Sequence, residues 1–325
     1  MSAFIDPLIG NLMVPTILFF VLGLLAALVR SDLAIPDAAA KFLSLYLLLS
    51  IGFKGGHSLA AHGLGMDLFL AIGAGLVLSA GLPFFAFALL RTITRLDRMN
   101  AAAVAGHYGS ISIVTFVAAV SFLDLTGIAH DGYMVAVAAA MEVPAILSAL
   151  WIAARAPEVE ARDTVRVSPR ELFANGSIVL LTGAFVIGAL TQERGMQMVA
   201  PFVVTPFTGI LCLFLLDMGL NAGRSLIGNR HVLSIGLLGF GLVMPLLASL
   251  IAFGLGQVIG LGTGSLFLLM TLAASASYIA VPAAMRIALP GAEPGIYLTL
   301  SLGVTFPFNV ALGLPLYLMI ARLSG

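Results

Sequence analysis

The sequence predicts an all-α integral membrane protein of ten transmembrane helices, arranged as two inverted repeats of five. Three observations carry that expectation: composition, the side on which the basic residues fall, and a similarity between the two halves. Of 325 residues, 61% are hydrophobic and 9% charged, with mean hydropathy +1.13. Soluble domains carry about 25% charged residues. Apolar runs of bilayer-spanning length recur from end to end, and in lipid only helices and closed barrels satisfy every backbone polar group. The alternation of a barrel strand is absent. Net charge is zero without a basic block, which gives no footing for nucleic acid.

No Lys or Arg precedes the first apolar run, near Leu12, so it lacks the basic flank of a secretory signal and reads as a retained helix. The single cysteine, Cys212, excludes an intramolecular disulfide and reads as a small apolar filler. Cutting the chain at polar and Pro/Gly-rich breaks gives spans near 12–29, 38–53, 67–90, 100–123, 132–154, 173–191, 203–222, 232–258, 264–288 and 295–321. Loops after the odd spans hold Arg30, Lys41, Arg91, Arg95, Arg98, Arg155, Arg162, Arg166, Arg170, Arg224, Arg230 and Arg286, twelve of the 15 basic residues. Only Lys54, Arg194 and Arg322 fall on the other side. The positive-inside rule therefore places the odd loops in the cytoplasm and both termini outside.

The polar segment "RAPEVEARDTVRVSPRE" (Arg155–Glu171) is too short and charged for a domain and reads as a solvated linker. It divides the chain into a first repeat (1–155), a cytoplasmic linker (156–171) and a second repeat (172–325). The halves align at an offset of 167. "IGFKGGHSL" (Ile51–Leu59) then falls on "MGLNAGRSL" (Met218–Leu226), with Gly52/Gly219, Gly56/Gly223, Ser58/Ser225 and Leu59/Leu226 identical. In the same frame Ser110 meets Ser277 and Glu142 meets Asn309. Five spans per half is an odd number, so the second half enters from the opposite side. Such inverted repeats expose one central site alternately to either face, which favours a transporter.

Spans four and nine are the most interrupted of their halves. "AVAGHYGSISIVTFVAAV" (Ala103–Val120) and "TLAASASYIAVPAAM" (Thr271–Met285) place Gly, Ser, Thr and Pro where lipid-facing leucines would be expected. Gly106 and Gly109 permit unwinding, and Pro282 favours a new helix start. Paired broken helices make a midplane site, where a half-helix N-terminus carries roughly +0.5 of a charge. No Lys or Arg lies deep in a span, so dipoles and the hydroxyls of Ser110, Ser112, Thr115, Ser275 and Ser277 would hold an anion. Close helix packing is the plainer reading of any one such serine; two symmetric clusters favour a site. His107 reads equally as a structural histidine bonded to a carbonyl or as a substrate contact.

Among carboxylates, Glu142 in "MEVPA" lies at the centre of span five, two residues before Pro144, and could hold Na⁺ or a proton. Asp217 lies nearer a helix end, where solvation or pairing with Arg224 serves as well as ion coupling. Asp124 reads as interfacial.

Five segments together resemble the sodium-dependent bicarbonate transporter family. They are "SIGFKGG" (Ser50–Gly56), "GHYGSISIVT" (Gly106–Thr115), "MEVPA" (Met141–Ala145), "ASASYIAVP" (Ala274–Pro282) and the closing stretch Leu289–Leu318. The resemblance implies a core subdomain moving against a gate subdomain, an elevator-like motion, and a homotrimer. It implies bicarbonate held by Gly109, Ser110, Ile111, Ser112, Ser275, Ala276 and Ser277. Na⁺ would lie close by, at Ser112, Thr115, Glu142, Ser277, Tyr278 and Asn309. Tyr278 stands where the family has an aspartate, and Glu142 where it has the shorter Asp. Cyanobacterial members have a longer cytoplasmic linker and are inhibited by a trimeric PII-like regulator; the shorter linker here weakens the carry-over of that partner. No cofactor beyond the coupling ion is expected.

The leading expectation is Na⁺-coupled bicarbonate uptake. An alternative keeps the fold but carries another carboxylate or oxyanion, coupled to Na⁺ or to H⁺ through Glu142. An intramembrane enzyme is disfavoured: Gly-x-Ser-x-Gly, His-Glu-x-x-His and paired intramembrane aspartates are all missing. A sensor would need an extramembrane domain.

Overall fold

A computed structural model of the chain describes residues 14–62, 65–155, 176–278, 281–282, 285, 289 and 291–324. The expected linker, with Arg162, Arg166 and Arg170, and the start of span one lie outside them, as does Arg286. The described residues are all-helical, with no strand.

In chain order the helices are α1 (Pro15–Leu28), α2 (Asp37–His62), α3 (Met66–Ile93), α4 (Arg98–Gly109), α5 (Ile113–Thr126), α6 (Met134–Ala140) and α7 (Glu142–Ala154). They continue as α8 (Gly176–Val203), α9 (Phe207–Gly228), α10 (Ile235–Val258), α11 (Thr263–Ala274) and α12 (Pro294–Ala321). Counting α4–α5 and α6–α7 as single interrupted helices, seven described helices are long and apolar enough to cross a membrane. Of the other expected spans, α1 has 14 described residues, α11 has 12, and α8 breaks at Gln192 (φ 50°, ψ −141°).

Local chemistry sets several boundaries. Asp97 caps α4 by accepting the Asn100 N–H at 2.9 Å, and Ser112 caps α5 by accepting that of Thr115 at 3.2 Å. Gly127, at φ 66°, ends α5 in the left-handed conformation that glycine adopts without strain. In α12 the ladder widens to π-helix over Thr299–Thr305 and Asn309–Gly313, just before Pro307 and Pro315, each of which lacks a donor.

Two sets of helices emerge. α2 packs along α8 and α1 along α9, with α2 also meeting α9; α3, α4, α5, α7, α10, α11 and α12 pack on one another. Glycines decide how close the first pairings come. A Cβ on Gly52 would fall 2.5 Å from the Leu181 carbonyl oxygen of α8, and one on Gly56 would overlap that of Phe185. Gly219 and Gly223 stand in the same relation to Phe20, Leu24 and Ala27 of α1. This is small-residue packing of membrane helices, which gains van der Waals contact by letting backbones touch.

The residues after Gln192 turn back along α2. Glu193 stands 3.6 Å from His57, and Phe202 stacks edge-on against Tyr46, eleven positions earlier on α2. The spans expected from hydropathy make 192–202 an outer loop; it is instead helical and docked. In the second set α4–α5 sit at the centre, more deeply buried than α3. Its polar groups therefore face protein rather than lipid.

Candidate functional site

α4 ends at Gly109 and α5 starts at Ile113, leaving Ser110–Ser112 extended; α11 ends at Ala274 and leaves Ser275–Ser277 likewise outside a helix. Extended backbone at this depth must find partners, because an unpaired buried amide costs several kcal/mol in hydrocarbon, as an order of magnitude. Each break supplies partners to the other. The Ser112 N–H donates to Ser275 Oγ at 2.8 Å, and the Ser277 N–H to the His107 carbonyl at 2.8 Å. Ser275 Oγ in turn donates to the Leu272 carbonyl at 2.8 Å. The two breaks cross.

Of the substrate set, Gly109, Ser110, Ile111, Ser112, Ser275, Ala276 and Ser277 all lie buried in this crossing. Gly109 is there for space: Pro83 of α3 fills the volume a Cβ would need, with its Cδ 2.5 Å from that point. Of the ion set, Glu142 is 3% exposed and accepts the Ser110 hydroxyl at 3.1 Å, so the carboxylate joins the crossing. Thr115 Oγ1 is buried without a hydrogen-bond partner. The Tyr278 hydroxyl is buried beside Ser112 without a well-formed bond, its ring edge-on to Phe306 at 5.5 Å. Asn309 is engaged elsewhere: its amide donates to the Ala274 carbonyl at 2.8 Å and its carbonyl accepts Tyr317 OH at 2.7 Å. It pins the end of α11, and its oxygen keeps one lone pair beyond the Tyr317 bond.

The electrostatics come from oxygen atoms and dipoles. The positive end of α5 points into the crossing, while the carbonyls closing α4 and α11 are largely taken by the bonds above. The second half-helix expected beyond Pro282 falls outside the described residues. Among those described, no three His, Cys, Asp or Glu side chains gather as a metal site. The donor set of hydroxyls, carbonyls and one carboxylate suits a hard monovalent cation beside an oxyanion.

His107 bonds through Nδ1 to the Ala103 carbonyl at 2.7 Å and stacks on Tyr297 at 4.4 Å, while its Nε2 is buried without a hydrogen-bond partner. Asp217 is buried and takes the Asn221 amide at 3.1 Å, whereas Arg224 donates to the Leu33 carbonyl at 2.8 Å. Sequence reasoning missed Ser79 of α3. Its hydroxyl donates to the Met141 carbonyl at 2.5 Å and accepts the Ala145 N–H at 3.2 Å, occupying the gap between α6 and α7 just ahead of Glu142. The available signal was a lone serine four residues before Pro83 in an apolar span. Tyr108, beside His107 in the interrupted span, pairs its hydroxyl with Thr305 Oγ1 of α12 at 2.5 Å.

The fold and the crossing define a multi-pass helical membrane protein with a buried, polar, two-armed centre. The model of the Na⁺-dependent bicarbonate transporter superfamily matches residues 15–322, nearly the whole chain, and the chain belongs to that family. Among curated proteins none matches it.

Proposed function

We propose that the protein is a secondary active transporter that takes up bicarbonate with Na⁺ by an elevator-type alternating-access motion. The observation that carries the reading is the crossing of Ser110–Ser112 and Ser275–Ser277 beside Glu142, in a chain of this family. The anion would lie against Ser110, Ser112, Ser275 and Ser277, facing the α5 N-terminus. Na⁺ would take oxygens from Thr115, Glu142 and the tyrosine hydroxyl of Tyr278.

Ten spans in a five-plus-five inverted repeat underlie this reading, and two packing arrangements support it. Gly52 and Gly56 seat α2 on α8 as Gly219 and Gly223 seat α9 on α1. Ser58 abuts Gly132, and their partners at offset 167, Ser225 and Thr299, share a hydrogen bond of 2.9 Å. The set α1, α2, α8 and α9 would be the gate and the remainder the moving core, with both termini on the periplasmic face.

A second reading has a specific motive. Glu142 is the one carboxylate bonded into the crossing and Tyr278 replaces an acidic group, so a proton could replace Na⁺ on Glu142 and another oxyanion could replace bicarbonate. An isolated buried charge is costly, so Glu142 must hold either a cation or a proton.

Uptake of radiolabelled bicarbonate into proteoliposomes, with an inward Na⁺ gradient or an inward proton gradient, separates the two. Na⁺-driven uptake that falls in Ser110→Ala supports the first reading. Uptake driven by protons alone moves the coupling to Glu142. No bicarbonate uptake by folded protein under either gradient sinks the cargo assignment.

A further inference from the structure

The outer end of the α2–α5 interface carries a charge pair whose two positions are uncharged in the repeat partner. A cavity of about 190 Å³ lies there between Ile51, Lys54 and Ser58 of α2 and Phe116, Val120 and Asp124 of α5, closed at the side by His130–Gly132. Lys54 Nζ reaches across it to Asp124 Oδ2 at 3.4 Å, with the side chains 30% and 47% exposed. Among the described residues this is the one ion pair between a lysine or arginine and a carboxylate. At offset 167, Lys54 becomes Asn221, Asp124 becomes Gly291, His130 becomes Tyr297 and Asp131 becomes Leu298. The uncharged packing, Ser58 on Gly132 and Ser225 on Thr299, is kept on both faces. Helix packing alone therefore does not require the charges.

We propose that Lys54–Asp124 is an outer latch: formed, it holds the gate helix α2 against the α5 arm of the site, and it parts before that arm can open outward. The inference rests on the alternating-access reading above. An exposed ion pair contributes little to folding. Between two nearly balanced conformations, however, the same small difference shifts the populations severalfold.

The test is the rate at which a neutral maleimide modifies Ser58→Cys, in a Cys212→Ala background, on purified protein in nanodiscs. Both faces are then accessible and no cargo is needed, so an absent bicarbonate flux leaves the outcome unaffected. Lys54→Gln and Asp124→Asn should each raise the rate about two- to fivefold, the range an exposed pair commands. The exchange Lys54→Asp with Asp124→Lys should return it towards the parent. A mere change in thiol acidity would move the two single variants in opposite directions. Raising the salt should speed labelling of the parent and not of Lys54→Gln, because the attraction is screened. His130→Cys serves as a second reporter if Ser58→Cys does not fold. Unchanged rates in the single variants, rates of opposite sign, or no recovery in the exchange would each overturn the latch.

Discussion

Ser275→Ala removes one of the two hydrogen bonds that join the broken helices. Ser275 is 1% exposed, and its Oγ is the acceptor for the Ser112 N–H at 2.8 Å. With alanine there, that amide is buried with no partner. The loss of its other bond is mild, because the Leu272 carbonyl also receives the Ser275 N–H at 3.2 Å. An orphaned buried donor costs about 1–3 kcal/mol. At ~2–4 °C per kcal/mol the melting temperature should fall by several degrees. Ser249→Ala is the matched control: it is equally buried, but its hydroxyl only donates to the Leu246 carbonyl of its own helix at 2.8 Å, so removing it strands no amide. Thermal unfolding of the detergent-solubilised protein compares the two. If Ser275→Ala melts with Ser249→Ala, the bridge does not hold the crossing together and the reasoning fails.

Two further outcomes follow from the geometry. Gly56→Ala should destabilise by about 1–3 kcal/mol, because the new Cβ meets the Phe185 backbone, which cannot yield as a side chain would. Gly73→Ala, with nothing within 4 Å, should instead be neutral or stabilising by up to ~1 kcal/mol in the same unfolding assay. For pH, burial in the loop between α5 and α6 holds His130 below its ordinary 6.5, against the pull of Asp124. The unfolded chain then binds a proton that the folded chain refuses, so stability is full above about 6.5 and falls as pH drops below it. His130→Asn should flatten that fall, read as melting temperature against pH; an unaltered slope would remove His130 from the account.

The breaks in spans four and nine were legible because glycine, serine and proline are poor formers of a helix interior. Their pairing was not, because Ser112 and Ser275 are 163 positions apart and no local pattern encodes which acceptor a stranded amide will find. Asn309 is similar: the repeat places it opposite Glu142, but only the packed helices bring the Ala274 carbonyl and Tyr317 hydroxyl to its amide. Ser79 was invisible because a single serine in an apolar span has no meaning until Met141 and Ala145 are seen beside it.

By itself the sequence determined that the chain is a helical membrane protein with two interrupted spans. Hydropathy, backbone hydrogen bonding in lipid and helix propensity act locally, and each can be read from neighbours in the chain. Tertiary structure alone decided which glycines bring α2 onto α8, that the chain turns back at Gln192, and that Glu142 meets Ser110. Those depend on the fit of surfaces and on competition among distant donors and acceptors, which exist only once the helices have packed.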